Sequence, residues 1–185
     1  MKVSHVVRAL ELAVLFPACG GVSPANVCAT SSAIVDGSPA TLYPEAVVIS
    51  TLQHGIVVGF CSGSLIAPRV VLTAGHCVSS YTGWDVSAPF ASQTARSSTG
   101  ETFDWKYDGT DHVTRDEHDV GLVYLDTAID LPAFPAIASA VVADGSDIVN
   151  IGRIHDGQIS GSLYLSSPLA VSDASRAGFP FDYLT

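Results

Sequence analysis

The chain has 185 residues, of which 48% are hydrophobic and 14% charged, a composition that supports a buried core and excludes an intrinsically disordered chain. Its formal net charge of −10 opposes a phosphate backbone, which is held by clustered Lys and Arg, so nucleic acid is excluded as a partner class. Sixteen glycines and ten prolines, with many Ser and Thr, divide the sequence into the short segments that turns between strands require, and the predicted class is all-β.

In chain order, Lys2 and Arg8 lead into an apolar stretch from Ala9 to Phe16, which gives way to the small residues Ala18, Cys19 and Gly20. A basic start, a short apolar run and a small-residue exit form the pattern of an export signal, assigned to residues 1–19. The run falls short of the roughly 20 apolar residues that span a bilayer. Phe16-Pro17-Ala18-Cys19-Gly20 also resembles a bacterial lipoprotein signal, in which Cys19 would carry the lipid after cleavage; a plain secretory signal is the alternative. Either one predicts an exported protein, secreted or lipid-anchored at the bacterial cell envelope, with no other tie to a membrane. Residues 20–33, GGVSPANVCATSSA, carry no apolar periodicity and read as a linker or propeptide. The four cysteines, at 19, 28, 61 and 77, suit an oxidising compartment, and counting alone leaves their pairing open.

From Ala46 onward, AVVISTL, a turn at Gln53-His54-Gly55, IVVGFCSGSLIA, a turn at Pro68-Arg69 and VVLTA predict successive strands of an antiparallel meander. Residues 79–118 are polar and predict long surface loops, with short strands near Trp84 to Ser87 and Thr102 to Tyr107. VGLVYL at 120–125 predicts a further strand, LPAFPAIA at 131–138 a connector, and residues 147–152 and 160–165 two more strands.

The segment CSGSLIAPRVVLTAGHC at 61–77 delivers a histidine, flanked by a cysteine, at the end of a strand, turn and strand. It resembles the histidine region of trypsin-like serine proteases. The resemblance implies that His76 is the general base and that Cys61 and Cys77 form a disulfide holding its turn. In HDVGLVYLD at 118–126, Asp119 immediately precedes an apolar strand, 43 residues after His76 and close to the spacing of about 45 typical of the family. The resemblance makes Asp119 the carboxylate that orients the imidazole. IVDG at 34–37 resembles the start of a mature protease, with Ile34 as the new N-terminus. Ser31, Ser32 and Ala33 precede it, so no Lys or Arg marks the cut, and a separate activating protease is implied.

A nucleophilic serine completes such a triad, and in the family it follows the aspartate by about 90 residues. Only 66 residues follow Asp119 in this sequence, and a Gly-Asp-Ser-Gly-Gly type motif is absent from them. Ser160 and Ser162, in DGQISGS, imitate the motif but come too early and read as polar strand residues. His112, Asp116, Glu117 and His118 lack a metal-binding spacing, and the stretch 89–101 offers only Glu101 as a carboxylate for a calcium loop. No metal or other cofactor is expected.

These readings predict a trypsin-like double β-barrel at residues 34–185, with a complete first barrel at 34–138 and the start of a truncated second barrel at 139–185. The implied function is that of a secreted serine endopeptidase acting on peptide or protein substrates by acyl transfer, its serine lying beyond this chain. The alternatives are a non-catalytic, protease-like surface binding protein or a truncated, inactive gene product.

Overall fold

The structure is a computed structural model and describes residue 34 and residues 36–105, 118–156, 158–173 and 183–184. A short strand β1 (Ser38–Pro39) leads to the meander β2 (Ala46–Gln53), β3 (Ile56–Ala67) and β4 (Val70–Ala74), which ends in a 3-10 turn at Gly75–Cys77. Strands β5 (Gly83–Ala88), β6 (Gln93–Ser97), β7 (Thr99–Phe103) and β8 (Val120–Tyr124) follow. The remainder comprises β9 (Asp147–Ile148), β10 (Ile151–His155), β11 (Gln158–Leu165), β12 (Leu169–Ala170), β13 (Ser172–Asp173) and β14 (Tyr183–Leu184). Among the described residues, no helix is long and apolar enough to cross a membrane.

The β2–β3 connection shows how the sequence sets register. His54 and Gly55 have φ values of 51° and 82°, the left-handed pair that a two-residue hairpin turn requires, and they align Gln53 with Ile56. Seven strands then pair antiparallel in the order β6-β5-β2-β3-β4-β8-β7. This sheet curls until its flanks meet: Asp126 N–H, just past β8, donates to Arg96 O on β6 at 2.8 Å. The buried Ser97 hydroxyl also donates to Tyr124 O at 2.6 Å and accepts the Thr99 N–H at 3.1 Å. Ser97→Ala would strand both groups at the closure and is expected to cost about 1–2 kcal/mol, measurable as a lower urea midpoint with an unchanged slope.

Val47, Ile49, Leu65, Val71 and Val123 fill the interior with no exposed surface, joined by Trp84 and Val86. Both faces of β2 are covered. Val47 and Ile49 point into the barrel, whereas Ala46 and Val48 pack outward on Leu163 of β11 and on Ala40. That double coverage explains why AVVI is an unbroken apolar run and not an alternating one. The second layer is built on the three-stranded sheet β1-β11-β10, to which Ile34 adds a parallel bridge at His155.

In the polar stretch after residue 79, β5 falls where the strand near Trp84 to Ser87 is expected, whereas β6 pairs with β5 along a segment expected to be loop. In β6, QTARS, the inward positions are Ala95 and Ser97. Small and polar inward residues give no hydrophobic alternation, which is why this strand is invisible to a search for apolar periodicity. The last strand of the stretch also lies earlier than expected, at Thr99–Phe103.

Candidate active site

Ala74 leaves β4 in an extended conformation and no side chain of its own caps the 3-10 turn that follows. The donors at the start of that turn are met by a residue far along the chain. Asp119 O accepts the Gly75 N–H at 2.8 Å, and Asp119 Oδ1 accepts the His76 N–H at 2.7 Å. The turn closes on itself through Val78 N–H and Ser79 N–H, both donating to Gly75 O. Cys77 is bonded to Cys61 on β3, and the buried Trp84 indole N–H donates to Cys77 O at 2.9 Å. The backbone carrying His76 is therefore held by β8, β3 and β5 together.

The side chains meet as well: His76 Nδ1 lies 2.7 Å from Asp119 Oδ2. An ionised carboxylate only accepts, so this contact assigns the proton to Nδ1 and leaves the Nε2 lone pair free. Exposure divides the pair, with the Asp119 side chain 12% accessible and that of His76 51%. Asp119 adopts φ 51°, a left-handed conformation that Asp tolerates better than most residues and that turns its carboxylate and its carbonyl toward the same turn. Asp104 O accepts the N–H groups of both His118 and Asp119, and the Asp104 carboxylate pairs with the His118 ring.

Trp105 packs edge-on to His76, with ring centroids 6.0 Å apart at 65°. The same tryptophan explains Gly75, because a Cβ there would lie 2.6 Å from Trp105 Cβ and 3.1 Å from Asp119 Oδ1. Gly75→Ala is expected to lower stability by about 1–3 kcal/mol through overpacking. Thermal unfolding should report that loss, and a shift of the His76 ring resonances should report the displaced imidazole.

His76 lies in a groove of about 320 Å³ between the barrel and β10, lined also by Phe60, Cys61, Ser62, Gly152 and Arg153. A larger hollow of about 590 Å³ over β5 and β6, bordered by Asp85, Arg96 and Asp126, contains neither member of the His–Asp pair. Among the described residues, one His/Cys/Asp/Glu group has ligand atoms within 4.8 Å of one another, namely Cys61, His76 and Cys77. Its two sulfurs are bonded to each other, so His76 alone has a ligand atom to offer there.

The remaining sequence candidates are dispersed. Ile34 is buried at 5% accessibility, its carbonyl accepting the Asp156 N–H. Ser160 and Ser162 lie on β11, where the Ser160 hydroxyl accepts the Ser162 N–H at 3.0 Å. Glu101 accepts a hydrogen bond from the Tyr124 hydroxyl, and that bond, more than partial desolvation, raises the phenol above its ordinary pKa. Cys19, Cys28, His112, Asp116 and Glu117 lie outside the described residues. Trp105, Phe60 and Arg153 carried no signal in the sequence, because no local motif sets them beside a histidine.

A family model described as Trypsin matches residues 34–162. The chain is 38% identical over 77 residues to human chymotrypsin-like elastase family member 3B, a match spanning 40% of this chain and 28% of that protein. Among solved structures, mouse neuropsin, a serine protease, superimposes with a TM-score of 0.60 at 16% identity, over 77% of this chain and 67% of its own. An inactivated protease paralogue of the scabies mite superimposes with a TM-score of 0.59 at 16% identity, over 76% and 62% of the two chains. The chain thus spans little more than a quarter of the elastase relative and about two thirds of these structures. The two structural likenesses identify the fold as the double β-barrel of serine proteases, and the family match over most of the chain establishes that this protein belongs to the trypsin family.

Proposed function

We propose that the protein is an exported serine endopeptidase in which His76 is the general base and then the general acid, and Asp119 its orienting carboxylate. The observation that carries this reading is the 2.7 Å contact between His76 Nδ1 and Asp119 Oδ2. With Nδ1 engaged, Nε2 takes the proton of a serine hydroxyl as that oxygen attacks a peptide carbonyl, and then returns it to the leaving amine. Asp119 stabilises the imidazolium formed between these steps. The serine and the donors for the developing oxyanion are proposed to come from second-barrel segments beyond Thr185. A fluorophosphonate probe tests this on the full-length secreted protein: labelling of one serine is expected, and neither labelling nor peptide hydrolysis would overturn the reading.

Family membership and the Cys61–Cys77 disulfide point to an extracellular protein with peptide or protein substrates. The finer route is proposed from the sequence: export by residues 1–19, with or without lipid on Cys19, then cleavage before Ile34 by a separate protease. N-terminal sequencing of the secreted form should begin at Ile34. A non-catalytic binding role is the second reading, since the same fold occurs in a protein described as an inactivated paralogue. Peptide hydrolysis that depends on His76 separates the two.

A further inference from the structure

Arg153, on β10, forms one wall of the groove that holds His76. Its guanidinium carbon lies 4.6 Å from the centroid of the Phe60 ring on β3. A guanidinium laid on an aromatic face is held there by the ring quadrupole, while its N–H edges stay available for a planar acceptor. Phe60 is 53% exposed, so the stack sits at the groove surface and not in the core.

The other described basic residues are already engaged. Arg69 donates to Asp126 O, and Arg96 pairs with Asp85. Arg153 has no carboxylate partner among the described residues. Burial lowers its pKa from the ordinary guanidinium value, the mark of a cation that has given up part of its hydration. A pre-positioned, partly dehydrated donor fork with no internal acceptor matches the bidentate geometry of a carboxylate. Its setting is a chain with formal net charge −10, whose other surfaces would repel the same ligand.

We propose that Arg153, stacked on Phe60, selects peptides that place an aspartate or glutamate side chain in the groove beside His76. The proposal rests on the proteolytic reading for its substrate class, yet binding tests it without catalysis.

Two fluorescent peptides differing only in Glu against Gln are titrated into the full-length protein and followed by anisotropy, with the His76 ring resonances locating the bound peptide. The Glu peptide should bind about tenfold more tightly, and the difference should shrink in about 1 M salt, where the Debye length is near 3 Å. Arg153→Gln should abolish the difference, Arg153→Lys should retain part of it, and Arg153→Glu should turn the preference toward a Lys peptide. Near-UV circular dichroism matched to the parent protein shows that each variant is folded. Equal or undetectable affinity for the two peptides, or a Glu preference that survives Arg153→Gln, overturns the proposal. Hydrolysis of an unbiased peptide pool is scored separately: acidic peptides bound but never cut would reject only the proteolytic reading, and cutting without any acidic preference would reject only the role of Arg153.

Discussion

Replacing His76 with alanine in the full-length protein is expected to lower kcat for peptide hydrolysis by about 10⁶-fold, with KM little changed. The imidazole is the one group of the site with a free ring nitrogen beside the groove, and no other described titratable residue lines that space except Arg153, which cannot act as a base. Asp119→Asn is expected to be milder, about 10⁴-fold, the size of the same change in the family's Ser-His-Asp triad. The physical cause is the contact at Oδ2. An amide nitrogen there donates where a carboxylate accepted, so Nδ1 must become the acceptor and the proton moves to Nε2, the atom that has to be free. Because the two residues act as a unit, the double variant should be scarcely slower than His76→Ala alone. Steady-state kinetics on one peptide substrate checks all three. Undiminished activity in His76→Ala would remove this site from the reaction.

The Cys61→Ala/Cys77→Ala variant is expected to be less stable by about 3 kcal/mol, the chain-entropy value for a loop of this size. The bridge joins residues 16 apart, enclosing the end of β3, the whole of β4 and the histidine turn. Cutting it frees that segment in the unfolded chain, and in the folded one it removes the tie between the turn and β3. Cys77 is 4% exposed, so alanine is the apt replacement and a serine hydroxyl would add a desolvation cost of its own. Urea unfolding should show a lower midpoint, and a reductant should move the parent protein to the same position. Loss of the downfield Nδ1–H proton resonance under native conditions would show the His76–Asp119 contact loosening as its support goes. An unfolding free energy lowered by less than about 0.5 kcal/mol would mean that Asp119 and Trp84 hold the turn without the disulfide.

The legible barrel strands each place at least one fully buried aliphatic residue inward, namely Val47 and Ile49, Leu65, Val71 and Val123, although the run Ile56-Val57-Val58 that also marks β3 stays exposed. β2, β3, β4 and β8 fall where AVVISTL, IVVGFCSGSLIA, VVLTA and VGLVYL predict them. The hairpin at His54-Gly55 is legible for a local reason too, since its left-handed dihedrals are met by residues that the sequence states outright. β6 is illegible because its inward residues are Ala95 and Ser97, and the space they leave is filled from elsewhere by Trp84 and Val86. Its strand identity comes from pairing with β5, which is a property of the neighbour.

The site divides along the same line. His76, Asp119 and the two cysteines stand in segments with a recognisable local form, and a strand that ends in Thr-Ala-Gly-His-Cys can be read one residue at a time. The family, the barrel strands with apolar interiors and the identities of the candidate pair follow from the amino acids alone, because each is encoded within a stretch of some twenty residues or fewer. Packing in three dimensions was needed to show that Asp119 caps the histidine turn with its backbone as well as its carboxylate, that Trp105 excludes any side chain at Gly75, and that Arg153 lies on Phe60 beside the imidazole. The reason is distance along the chain: Phe60 and Arg153 sit on strands of different sheets, which meet where Leu163 of β11 and Ile151 of β10 pack with Ala46 and Val48 of β2.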